Sequence, residues 1–130
     1  MNRKHVCAGL ACLAWLVVAG NAGAHHSFAA IWDATRELEI HGVLSKVEWV
    51  NPHSYFEITV ADDEGAEEIY RFENFPPAML NRLGLSRNSM TDQIGQGVTV
   101  KYNPALDGTE TIGYGRVFEF DDGSTIIFTQ

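Results

Sequence analysis

Four histidines carry the chemistry this chain has to offer: His25, His26 and His53, with His41 behind them. If the chain is cut before His25, the new α-amine and the Nδ1 of His25 close a chelate on one metal ion. A second imidazole would complete a histidine brace. His53 is the candidate for that imidazole, because Asn51-Pro52 directs the chain into a tight turn just before it. His26 is nearer to the amine but less directed. A planar set of nitrogen ligands suits Cu(II), which also leads the divalent series in affinity. The expected metal ligands are therefore His25 and His53, with His26 as rival, and the expected cofactor is Cu(II), its role open between metal carriage and redox chemistry. Imidazole and amine both bind metal in their deprotonated forms, so affinity should fall as pH drops below the reference histidine range, about 6.5. A plainer reading stands beside this one. It makes His25 and His26 a polar start to the chain, His53 a turn residue whose ring bonds a backbone carbonyl, and His41 an exposed strand position.

The brace depends on the fate of residues 1–24. Arg3 and Lys4 give a positive start, Val6 to Ala19 is a run of 14 uncharged residues, and Ala22-Gly23-Ala24 has the A-x-A pattern that signal peptidase reads. The run is short for a membrane span, which needs about 20 residues. We therefore expect a cleaved signal peptide over 1–24, a single domain over 25–130, a periplasmic or secreted location, and no stable membrane insertion after cleavage. Cys12 has Gly9 three residues before it rather than Leu, which sets aside a lipoprotein cysteine.

Both cysteines, Cys7 and Cys12, lie in the leader. The mature chain then has no disulfide, and neither a structural zinc site nor a Cu(I) thiolate site can be built on sulfur. Arg3 and Lys4 leave as well while all 17 acidic residues stay, so seven basic residues face 17 acidic ones and the formal charge moves from −8 to −10. Such a surface repels phosphate backbones and argues against nucleic-acid binding.

The elements that must hold these residues are mostly strands. Leu38 to Val50 reads as a long strand whose apolar phase changes after Gly42, as at a bulge or bend. Tyr55 to Val60 alternates cleanly, with Phe56, Ile58 and Val60 on one face. Asp62-Asp63-Glu64-Gly65 is a hairpin tip, lacking the order of a calcium loop. Glu67 to Glu73 returns. Pro76-Pro77 opens a short helix stopped by Gly84, residues 86–97 read as a polar loop, and Val98–Tyr102, Thr111–Phe120 and Thr125–Phe128 complete the set. Trp32, Trp49, Phe56, Ile58, Tyr70, Phe72, Leu80, Leu83, Val98, Val100, Val117, Phe118 and Ile126 are the candidate core. The expected fold is all-β: a small five-stranded OB-type Greek-key barrel, with one short helix between strands 3 and 4 and a C-terminal hairpin arm. A small open β-sandwich is the alternative.

The motifs Ala24-His25-His26-Ser27-Phe28-Ala29-Ala30, Gly42-Val43, Lys46-Val47-Glu48-Trp49 and Asn51-Pro52-His53-Ser54, with Asn81-Arg82-Leu83-Gly84, Gly95-Gln96-Gly97 and the turns Asp107-Gly108 and Asp122-Gly123, resemble domain of unknown function family 6152, a family of exported bacterial proteins. The resemblance spans nearly the whole mature chain and implies secretion and a small β domain; it brings no activity. The chain departs from the family pattern at Glu73-Asn74-Phe75-Pro76-Pro77, where a Gly-rich stretch is usual, and at Tyr102-Asn103-Pro104, where G-Y-R is usual.

Two other function classes stand beside the metal reading. A passive glycan- or protein-binding module would stack ligands on Tyr55, Tyr70, Tyr102 and Tyr114. An acid–base enzyme would use Glu48, Glu57 and His53, though no G-x-S-x-G elbow, phosphate loop or H-E-x-x-H helix is present, and the spacing favours solvated strand faces. The expectation is a binding protein rather than an enzyme.

Overall fold

The computed structural model describes residues 28–128. The leader, the expected cleavage site, His25 and His26 lie outside the described residues. In chain order the elements are α1 (Phe28–Ile31), β1 (Leu38–Glu48), β2 (Ser54–Ala61), β3 (Glu67–Asn74), α2 (Pro77–Arg82), α3 (Arg87–Thr91), β4 (Gly97–Pro104), β5 (Ile112–Phe120) and β6 (Thr125–Ile127). Among the described residues no helix is long and apolar enough to cross a membrane.

Strand β1 runs antiparallel to both β2 and β4, β2 pairs with β3, and β4 pairs with β5. The ring closes where β3 meets β5 in parallel, Phe72 opposite Gly113 and Glu73 opposite Tyr114. This is the expected five-stranded OB-type barrel, with α2 between β3 and β4. Strand β6 pairs with β5 outside the ring and forms the C-terminal hairpin.

The alternation read in β2 puts Phe56 and Ile58 inside, both fully buried, opposite Phe72 and Tyr70 of β3. Leu44, Val98, Val100, Tyr102 and Phe118 complete the interior from the other strands. Phe128, just beyond β6, swings in against Phe118 at 5.4 Å and Phe56 at 6.1 Å, so the hairpin arm plugs one end of the barrel.

Four expectations need correction. The phase change in β1 is not at Gly42. The register skips between Leu44 and Lys46, so the extra residue is Ser45; Leu44 points inward and Val43 is 43% exposed. Gly42 serves a different need, because a Cβ there would sit 2.5 Å from the Thr59 carbonyl oxygen. Leu83 is not core. It caps the end of α2 and is 51% exposed, while Leu80 alone anchors that helix. The polar stretch 86–97 is not all loop: Ser86 caps α3 in a reciprocal box with Ser89, and Met90 buries the helix's one apolar anchor. Finally, β1 stops at Glu48 rather than Val50.

The arm before β1 has no period in sequence, yet it is tied to the barrel. The amide of buried Asn103 donates to the carbonyls of Arg36 (2.6 Å) and Asp33 (3.3 Å). The Asp33 N–H donates to the Pro104 carbonyl, the Leu106 N–H donates to that of Ile31, and Trp32 bridges to Ala105. The departure Tyr102-Asn103-Pro104 is thus the clamp that fixes the arm.

Candidate functional site

His53 ends the turn after the cis Asn51-Pro52 bond and directly precedes β2. The first pair of the β2–β3 ladder, Ser54 with Asn74, brings it beside the end of β3. There its Nδ1 lies 3.1 Å from Glu73 Oε1 and 3.3 Å from the Asn74 carbonyl oxygen. Both neighbours can only accept, so Nδ1 carries a proton, and in the neutral ring Nε2 then holds the lone pair. The predicted ring-to-carbonyl bond is therefore present, and a carboxylate joins it. A carboxylate or carbonyl behind the far ring nitrogen is the arrangement that orients metal-ligating imidazoles. His53 is 42% exposed and Glu73 18%; the other Glu73 oxygen accepts from the Tyr55 hydroxyl at 3.4 Å.

The wall behind this pair is built by β3 and β5. On β5 the register skip that pairs Lys101 with Val117 and Tyr102 with Gly115 leaves Arg116 unpaired and reverses the phase. Gly113 and Gly115 then face the interior, where a Cβ would strike the rings of Tyr102 and Phe118. Tyr114 faces out, on the same side as Glu73. It is only 4% exposed because the arm lies over it, with Phe28 meeting its ring edge-on at 5.1 Å and Phe75 at 6.1 Å. Asn74 locks the corner: its Nδ2 donates to the Gly115 carbonyl and its Oδ1 accepts from the Phe75 N–H, both at 2.8 Å.

The result is a pocket of about 360 Å³ between α1 and the β3–β5 seam, lined among others by Phe28, Trp32, His53, Glu73, Phe75 and Tyr114. Sequence reading singled out His53, and Tyr114 as a stacking candidate, and missed Glu73 and the roles of Phe28 and Phe75. The available signal was that Phe28 and His53 each lie within a motif of the resemblance. The stretch Glu73–Pro76, where the chain departs from the family pattern, supplies one side of the pocket. Among the described residues no group of three or more His, Cys, Asp or Glu side chains could hold a metal ion; His53 and Glu73 are two. His25 and His26 lie outside the described residues.

The other candidates separate. His41 is exposed, 3.2 Å from Asp121. Glu48 and Glu57 both bind Arg71, at 2.8 and 2.5 Å, and Lys46 joins them, while Arg71 stacks over Tyr55 at 4.3 Å. The Arg71 and Lys46 hydrogen bonds hold the Glu48 carboxyl down at about 2, a strong anion rather than a proton donor. His53 takes Glu73 as its carboxylate instead. The four tyrosines form no common platform: Tyr102 is inside, its hydroxyl donating to the Glu110 carbonyl, Tyr70 packs against Phe72 and Tyr102, Tyr114 lies under the arm, and Tyr55 stacks with Arg71.

No curated protein and no solved structure matches this chain. The model of a family described as "Family of unknown function (DUF6152)" matches residues 13–114, most of its length, and the chain belongs to that family.

Proposed function

We propose that this DUF6152 member is an exported Cu(II)-binding protein. Its ligands are the α-amine and Nδ1 of His25, freed by cleavage after Ala24, and Nε2 of His53. One observation carries the reading: His53 Nδ1 is engaged by two acceptors at 3.1 and 3.3 Å, so in the neutral ring Nε2 is the nitrogen left to bind a metal, beside a pocket that Phe28 also lines. Three Cα–Cα steps separate His25 from Phe28 and span at most about 10 Å, and Phe28 lines the same pocket as His53. The Asn103 clamp on Asp33 and Arg36 holds the following part of the arm on the barrel. Nitrogen donors and the absence of cysteine from residues 25–130 favour Cu(II). Glu73 holds the imidazole in the tautomer a metal needs.

The test is copper titration of processed protein, followed by electron paramagnetic resonance. Adding one residue before His25, or changing His53→Ala, should each weaken binding at least tenfold, about 1.4 kcal/mol. Unchanged affinity in the extended protein rules out the brace. Intact mass of the exported protein checks the cleavage site, and a mass that retains residues 1–24 removes the premise.

A further inference from the structure

The pocket beside His53 has aromatic walls that the copper reading does not use. Its rings meet at steep angles: Phe28 to Tyr114 at 83° and Phe75 to Tyr114 at 75°. The aromatic wall therefore turns a corner instead of forming one flat stacking face, and Trp32 adds a fourth ring to the lining. A flat ligand uses one plane; a compact, roughly spherical group uses several at once. Among the described residues that line it Glu73 is the one carboxylate, and neither Lys nor Arg is present. The whole chain carries a formal charge of −8, so the field around the pocket also favours cations. Glu73 already accepts from His53 and Tyr55; it offers negative charge more than open hydrogen-bonding sites. Asn74 spends its side chain on Gly115 and Phe75. A guest that brings positive charge without needing hydrogen bonds fits these walls best.

We propose that this pocket is an aromatic cage for a small quaternary ammonium group of the choline type. Ring faces attract such a cation through their quadrupoles, and a nearby carboxylate adds to the attraction once water is excluded. The inference is independent of copper. It requires Phe28, Trp32, Phe75, Tyr114 and Glu73, and no metal.

The experiment is a calorimetric titration of chelator-treated protein with choline, run beside its uncharged isostere, in which a tert-butyl group replaces the trimethylammonium. Choline should bind at least tenfold more tightly than the isostere. Phe75→Leu keeps apolar bulk but removes a ring face; it should weaken choline at least fivefold and leave the isostere within twofold. Glu73→Gln should do the same, and circular dichroism confirms that both variants are folded. Equal affinity for choline and isostere, no choline binding, or choline binding indifferent to both variants would each overturn the proposal. Co-sedimentation with phosphatidylcholine vesicles, against phosphatidylglycerol vesicles, separates the sources. Retention on the former alone makes the guest a lipid headgroup, and retention on neither, with choline still bound, makes it a free small molecule. Because copper is absent throughout, failure here leaves the brace standing, and failure of the brace leaves this result intact.

Discussion

Asn74→Ala tests whether the pocket wall is held as described. The side chain is fully buried at the end of β3 and both of its polar atoms are used, Nδ2 on the Gly115 carbonyl and Oδ1 on the Phe75 N–H, each at 2.8 Å. Truncation removes both bonds and strands one donor and one acceptor. A buried group left unpaired costs about 1–3 kcal/mol. Phe75 is half-buried, so water recovers part of its share, and the total should be about 2–4 kcal/mol. That is a large fraction of the roughly 5–15 kcal/mol that holds a domain of this size together. With a urea slope of roughly 1–2 kcal/mol/M, the midpoint should fall by about 1–4 M with the slope unchanged. Exposed Asn81→Ala on α2 is the control and should stay within about 0.5 kcal/mol. A midpoint shift for Asn74→Ala no larger than the control's would refute the reasoning, because the corner would then not depend on this amide.

Two further expectations concern the barrel. Phe56→Ala removes a fully buried ring packed on Phe118 at 5.3 Å and should cost about 3–5 kcal/mol by urea unfolding; a loss within noise would mean the β2 faces are inverted. Glu48, held at about 2 first by the Arg71 hydrogen bond and then by that of Lys46, has a depressed folded value. Its contribution is therefore present above the ordinary carboxylate range and drains away as pH falls from about 4.5 towards 2. The wild-type urea midpoint should drop more steeply over that window than that of Glu48→Gln, and parallel curves would show that the Arg71 pairing does not contribute.

Much of the barrel was legible from residues alone, because strand alternation and turn chemistry are local. Phe56, Ile58 and Val60 against Tyr55, Glu57 and Thr59 define β2 without knowledge of its partner, and Gly65, Gly84, Gly108 and Gly123, all with positive φ, mark turns or stops that the sequence announces. His53 was legible too, as an imidazole on a constrained turn. Long-range register was not. Ser45 and Arg116 are the residues that the ladders skip, and nothing local tells them from their neighbours; only the pairing of β1 with β2 and of β4 with β5 decides which one is extra. The parallel closure of β3 on β5 sets Glu73 beside Tyr114. The arm that the Asn103 clamp holds sets Phe28 against Tyr114. Residues 28, 53, 73–76 and 114 become one pocket because a closed ring brings together segments that are far apart in the chain, and that closure is a property of the whole sheet, which no window of sequence contains.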